Sequence, residues 1–266
     1  MQPLLMLSYK ASPPQTLPER DAMTARRIPA TDKHPPYEDE EDDLSIEYPS
    51  SDGEPMAEND AQLTAMMDAI TPLREWFDSR EDIYVGGDML MYYRINDNET
   101  RVAPDVFVVV GVDSKHKRDS WIVWREGLPP TLVMEMASGS TWRRDMREKR
   151  DIYAEMEVTE YWRFDPSGSY FAPPLIGERL EGGEYAEMPV SAGGDGILRG
   201  HSPVLGLDLC VLPDGNLRFH DPASGQWLRT LHDAENALRA EQAARQAAED
   251  ELRKLREQLC ALQPGQ

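Results

Sequence analysis

Five consecutive apolar residues, Val106-Phe107-Val108-Val109-Val110, constrain this chain more than any other stretch. A strand with one wet face alternates apolar and polar side chains. An unbroken run of β-branched and aromatic residues needs cover on both faces. The chain must therefore lay other elements above and below this strand, and its neighbours in sequence can do so. A helix is predicted from about Asp60 to Phe77, where Leu63, Met66, Met67, Ile70, Leu73, Trp76 and Phe77 recur at helical spacing. Asn59 or Asp60 supplies its cap, and Pro72 is a place for it to bend or divide. Ile83-Tyr84-Val85 and Met89 to Tyr93 read as strands, and Val102 to Val112 as a third that contains the apolar run. After a polar loop, Thr131 to Met136 reads as a fourth strand. Ser138-Gly139-Ser140-Thr141 breaks that strand and caps a helix from Trp142 to about Met156, and Glu160 to Phe164 is a further strand that stops at Asp165-Pro166. Helix, strands, helix, strand is the order of an α/β/α layered domain with a central mixed sheet.

Around that core the chain divides into three regions. Residues 1–55 carry a proline cluster and the run Glu38-Asp39-Glu40-Glu41-Asp42-Asp43, which repels itself and reads as a solvated tail. Met23 in this region is an alternative start. Residues 56–228 form the folded domain, and within it the glycine- and proline-rich stretch from Gly168 to Trp227 reads as β-hairpins on the core edge. Residues 229–262 form a long helix by propensity. Leu231, Leu238, Leu252 and Leu259 share one heptad position, and Ala234, Ala248, Leu255 and Leu262 share the other, with Glu241 and Arg245 interrupting the seam. A parallel or antiparallel coiled coil that forms a homodimer is one reading, and packing back onto the helix's own domain is the other.

Composition narrows the function. With 28 basic and 49 acidic side chains the net charge is −21, which argues against a protein that passively coats nucleic acid. An enzyme that meets nucleic acid at a single patch stays open. No apolar run approaches the roughly 20 residues that cross a bilayer, and Met1 to Leu7 is too short and lacks a basic start for a secretory signal. A cytoplasmic location with no membrane partner is expected. Cys210 and Cys260 form neither a disulfide framework nor a zinc motif, and His34, His116, His201, His220 and His232 show no metal-binding spacing. Ser138 and Ser140 lack the elbow motif of a serine nucleophile.

Two acids stand where a core strand should hold an apolar residue or end: Asp105, after Pro104 at the head of the apolar run, and Glu135, inside Leu132-Val133-Met134-Glu135-Met136. A buried carboxylate is costly unless it is paired or bound to a cation. Two on adjacent strands suggest an oxygen-rich site for Mg²⁺ or Mn²⁺. Trp142, Asp145, Lys149 and Tyr153 or Ile152 share one face of the following helix, so Lys149 can reach the site and orient or deprotonate a water, with Asp145 holding it in place. The alternative is that Asp105 closes a turn and that Asp145 and Lys149 form an exposed i,i+4 pair. Asp88 and Glu58 are candidates for further acidic ligands. Arg143, Arg144, Arg147, Lys149 and Arg150, and separately Lys115-His116-Lys117-Arg118, are candidate contacts to a phosphate backbone.

Arg101-Val-Ala-Pro104-Asp105, Glu135-Met-Ala-Ser138-Gly-Ser140-Thr141, Asp145, Lys149, Tyr153 and the run Val158 to Pro166 together resemble the Uma-two (putative restriction endonuclease) family, a branch of the PD-(D/E)XK nuclease superfamily. The resemblance extends to Pro174-Leu175-Ile-Gly177 and Ser202 to Leu207 and covers roughly residues 48–262. It implies a restriction-endonuclease-like core, hydrolysis of DNA phosphodiesters dependent on Mg²⁺ or Mn²⁺, and an active site of Asp105, Glu135 and Lys149. The metal contacts it implies are Asp105, Glu135 and Met136, with Asp145 and Ser138 as supporting residues. Ala137 stands two residues after Glu135, where the superfamily places its lysine, so Lys149 on the next helix is the expected replacement. The competing reading is a nuclease-derived scaffold that cuts nothing and binds partners through its acidic tail and C-terminal helix.

Overall fold

The computed structural model describes residues 40–51, 53 and 59–262. The proline cluster before residue 37, Met23, His34, Glu38, Asp39 and Glu58 lie outside them. Helix α1 (Asp60–Trp76) starts where the Asn59 side chain accepts the Gln62 N–H at 2.9 Å, satisfying a donor that the first turn leaves unpaired. It runs through Pro72 without dividing and buries Ala65, Met66, Ala69, Ile70 and Leu73. Strands β1 (Ile83–Gly86), β2 (Met91–Tyr92), β3 (Arg101–Val102) and β4 (Val106–Val110) follow. The stretch Val102 to Val112, expected as one strand, is thus interrupted at Ala103-Pro104-Asp105, because Pro104 has no amide to donate to a ladder. The polar loop after it contains β5 (Trp121–Ile122) and one turn of helix, α2 (Val123–Glu126). Then come β6 (Leu132–Met136), α3 (Trp142–Asp145), α4 (Glu148–Glu155), β7 (Glu160–Phe164), β8 (Leu175–Glu181) and β9 (Glu184–Glu187). A run of short strands, β10 (Val190–Ala192), β11 (Leu198–Ser202), β12 (Leu207–Val211), β13 (Leu217–Asp221) and β14 (Gln226–Trp227), leads to α5 (Leu231–Leu262).

The main sheet has the order β1-β4-β6-β7-β8-β9, with β6 and β7 parallel and every other neighbour antiparallel. Side chains alternate between its faces with period two. Val106, Val108, Met134, Trp162 and Phe164 meet α1 on one face, while Phe107, Val109, Val133 and Tyr161 meet Tyr153 and Met156 from α4 and its C-cap on the other. Both layers demanded by the apolar run are therefore present. The hairpin region does more than line the core edge. Strands β8 and β9 extend the main sheet, and β10 to β14 form an antiparallel sheet whose Leu207, Leu209, Val211, Leu217 and Phe219 join the α1 core. Gly177 and Gly200 permit this closeness: a Cβ at either would meet the Trp162 indole, at 2.5 Å and 2.8 Å respectively. The architecture is mixed α/β, with a central mixed sheet, a β-hairpin appendage and a long C-terminal helix. Among the described residues no helix is long and apolar enough to cross a membrane.

Residues 41–49, read from sequence as part of a solvated tail, lie against the body. Asp42 pairs with Arg125 at 2.7 Å, the Tyr48 ring stands edge-on to Tyr92 and Trp124, and the Tyr92 hydroxyl donates to the Pro49 carbonyl at 2.7 Å. At the other end, Thr230 and Asp233 cap α5 reciprocally: each backbone N–H is accepted by the other's side chain, at 3.1 and 3.2 Å.

Candidate active site

Strand pairing alone brings the two acids together. Residues Val106 and Phe107 pair with Met134 and Val133, so the register continued by one residue sets Asp105 beside Glu135. Both stand on the face that carries Phe107, Val109 and Val133, toward α4. Because the β4 ladder begins only at Val106, the Asp105 carboxylate replaces the missing backbone partner and accepts the Met136 N–H at 2.6 Å.

The helices supply the rest. Lys149 Nζ on α4 donates to Glu135 Oε2 at 2.8 Å and stands 3.1 Å from Asp145 Oδ1 on α3. The Tyr153 hydroxyl, one turn further along α4, donates to Glu135 Oε1. Glu135 and Asp145 are each 1% exposed and Lys149 7%, so the pair Asp145 and Lys149 is not the exposed i,i+4 pair that the spacing alone allowed. The single helix expected from Trp142 to Met156 is two, with Arg147 at φ −134° and ψ −76° between them. The Tyr161 hydroxyl takes the Asp145 carbonyl at 2.8 Å, drawing it away from the helical ladder. Ser138 lies one step back: its hydroxyl is 2.8 Å from that of Thr141 and accepts the Thr141 N–H at 3.3 Å, closing the turn into α3. Met136 presents its backbone, with the N–H on Asp105 and the carbonyl accepting from Gln62 Nε2 at 3.4 Å.

Two carboxylates, Glu135 and Asp145, thus meet one ammonium, and a third, Asp105, adds its field from beside Glu135. Burial pushes Glu135 up to about 7, with the Asp105 charge adding to the effect and Lys149 opposing it. Burial likewise raises Asp105 and Asp145 to about 6 each. For Lys149, burial works against the charge, but the fields of Glu135, Asp145 and Asp105 outweigh it and hold the amine above the ordinary lysine range. Lys149 is therefore a cation at neutral pH. With all three acids ionised, the cluster carries two negative charges in excess, the charge of one divalent cation. The oxygen donors are the kind Mg²⁺ and Mn²⁺ take, and those ions keep several waters and need few protein ligands. Among the described residues no group of three or more His, Cys, Asp and Glu side chains could hold a metal ion, so Asp105 and Glu135 would need the Met136 peptide oxygen and water to complete such a site.

The raised carboxyl values set the sign of a pH effect. The folded state binds these protons more tightly than the unfolded chain, so the stabilisation is complete below about pH 4 and is lost as pH rises through 6 to 7. Metal-free protein is expected to melt at a higher temperature at pH 5 than at pH 8, and Mg²⁺ or Mn²⁺ to narrow the difference at pH 8. Glu135→Gln should remove part of the difference, separating it from the general repulsion of a chain with net charge −21. A melting temperature in metal-free buffer that does not fall from pH 5 to pH 8, or a fall equally large in Glu135→Gln, would contradict this reading.

A cleft of about 310 Å³ opens beside Lys149, lined among others by Arg101, Thr141 and Arg144. Arg144 pairs with Glu148 at 3.1 Å, and Arg143, Arg144 and Arg147 are exposed. Arg150 is turned to Glu178 and the Tyr185 carbonyl instead. In the second basic stretch, Lys115 is held by Glu81, and Arg118 by Glu126 and the faces of Tyr84 and Trp121. Asp88 is exposed at φ 48° and shapes the site through its amide, which donates to the Pro104 carbonyl at 2.9 Å. The contributions of Gln62 and Tyr161 had no signal in the sequence, since each acts across a tertiary contact from an otherwise ordinary position.

The family model described as "Uma2: Putative restriction endonuclease" matches residues 32–209, more than half of the chain. No curated protein matches it. A solved structure, a "putative nuclease belonging to DUF820" from Anabaena variabilis ATCC 29413, aligns with 55% of this chain and 80% of its own, at 9% identity and a TM-score of 0.37.

Proposed function

This chain belongs to the Uma2 family, and on that premise we propose that it is a divalent-metal-dependent endonuclease that hydrolyses DNA phosphodiester bonds at Asp105, Glu135 and Lys149. The observation that carries the proposal is that one lysine joins two buried carboxylates, Glu135 and Asp145, while Asp105 stands beside Glu135 on the neighbouring strand, next to a cleft lined by Arg101 and Arg144. Asp105, Glu135 and the Met136 carbonyl would hold Mg²⁺ or Mn²⁺. When bound, the ion supplies Lewis-acid polarisation of the scissile phosphate and lowers the pKa of a bound water. Lys149, held as a cation, donates from Nζ to the charge that builds on the phosphoryl oxygens, so its role is electrostatic rather than that of a base. Asp145 positions Lys149, and the Tyr153 hydroxyl fixes the Glu135 carboxylate. Arg101 and Arg144 would meet the backbone of a nucleic acid in the cleft, exchanging their pairings with Glu99 and Glu148 for phosphate. We also propose that α5 joins two copies, setting two sites in one particle, an arrangement suited to cutting both strands of a duplex.

The test is cleavage of supercoiled plasmid, single-stranded and branched DNA by purified protein in Mn²⁺, in Mg²⁺ and in chelator. Nicking or cutting in metal alone is expected. Absence of hydrolysis on every substrate would replace this reading with that of a non-cutting scaffold.

A further inference from the structure

Resting on the proposal that α5 joins two copies, we infer that the partner is a second copy of this chain packed antiparallel in one register, with Glu241 of each copy facing Arg245 of the other. Leu231, Leu238, Leu252 and Leu255 are 46 to 55% exposed, and from Ala234 to Gln258 every residue but Asp250 is exposed. The seam is thus left uncovered by the rest of the described chain. Its two polar interruptions have opposite signs and lie one turn apart, on the two alternating heptad positions. A parallel, in-register pair would set Glu241 against Glu241 and Arg245 against Arg245, like charges in two layers of a buried seam. Antiparallel helices crossing at residue 243 instead set Glu241 against Arg245, twice. Between Leu231 and Leu255 the same register matches the two heptad positions in the remaining layers, Leu231 with Leu255, Leu238 with Ala248, and Leu252 with Ala234, while Leu259 and Leu262 extend past the paired segment. Two of those three pairings are large against small, which fills an antiparallel seam evenly. Shifting the register by one heptad would place Glu241 on Leu238 or Leu252 and Arg245 on an alanine. Arg245 now pairs with Glu249 of its own helix at 3.0 Å, an exposed and therefore weak pairing that leaves it available. The paired segment, Leu231 to Leu255, is about 36 Å long at 1.5 Å per residue.

Sedimentation of the full chain and of charge variants tests the register. Glu241→Arg and Arg245→Glu should each raise the dimer dissociation constant about tenfold or more by placing like charges in contact. The double variant should restore it. In a Cys260→Ser background, Leu238→Cys chains mixed with Ala248→Cys chains should form a disulfide with each other. Ala248→Cys chains alone should not, because copies of residue 248 would lie about 15 Å apart. A chain that stays monomeric at tens of micromolar would overturn both the register and the dimer. A dimer that is insensitive to the single charge changes, or that cross-links through Ala248→Cys alone, would overturn the register and leave the dimer standing.

Discussion

Asp105→Asn and Glu135→Gln are each expected to lower metal-dependent DNA cleavage by about a thousandfold or more, since a carboxylate that holds a catalytic cation supports several kcal/mol of transition-state stabilisation. The stability of the same variants should move the other way. Each replacement keeps the shape of the side chain and removes one of three mutually repelling carboxylate charges in the cluster. Metal-free Asp105→Asn and Glu135→Gln should therefore be at least as stable as the parent at pH 8, when measured by denaturant unfolding. Loss of activity with gain of stability marks residues placed for chemistry at the expense of the fold. If either variant is strongly destabilised at pH 8, or cuts DNA as well as the parent, that carboxylate is serving the structure instead.

Lys149→Met is expected to behave in the opposite sense. The ammonium is the cation 2.8 Å from Glu135 and 3.1 Å from Asp145, and a methionine fills much of its volume without its charge. Leaving buried carboxylates without their partner typically costs about 3 to 5 kcal/mol. That cost should appear at pH 8 and shrink at pH 5, where protons held by acids raised to about 6 and 7 stand in for the lost cation. Cleavage should be lost as well, and high Mn²⁺ should recover part of the stability without recovering the activity. Equal destabilisation at both pH values would mean that Lys149 contributes by packing its methylenes rather than by charge.

Much of this arrangement is legible in the amino-acid sequence. The unbroken run Val106 to Val110 required two covering layers, and Glu135 inside an apolar strand of its own announced a buried carboxylate. The sequence placed Asp105 and Glu135 on adjacent strands, and the pairing register of β4 with β6 sets them on one face. What escaped had short or tertiary causes. Strand β5 is two residues long and α2 a single turn, too brief for any periodicity to register. The break at Arg147 coincides with a tertiary contact, the Tyr161 hydroxyl of β7 donating to the Asp145 carbonyl at the end of α3. Asp145 and Lys149 look like a surface pair at i,i+4, and only the packing of α3 and α4 on the sheet buries them. Of the acidic residues 40–43, Glu40, Glu41 and Asp43 are exposed as their charge suggests, whereas Asp42 meets Arg125, which lies 83 positions away.

Anomalous scattering from crystals grown in saturating Mn²⁺ tests the central claim most directly, because it locates the ion without reference to activity. One peak is expected within about 2.2 Å of carboxylate oxygens of both Asp105 and Glu135, with Lys149 Nζ moved off Glu135 and retained by Asp145. A map with no peak there, and Lys149 still bonded to Glu135, would contradict it.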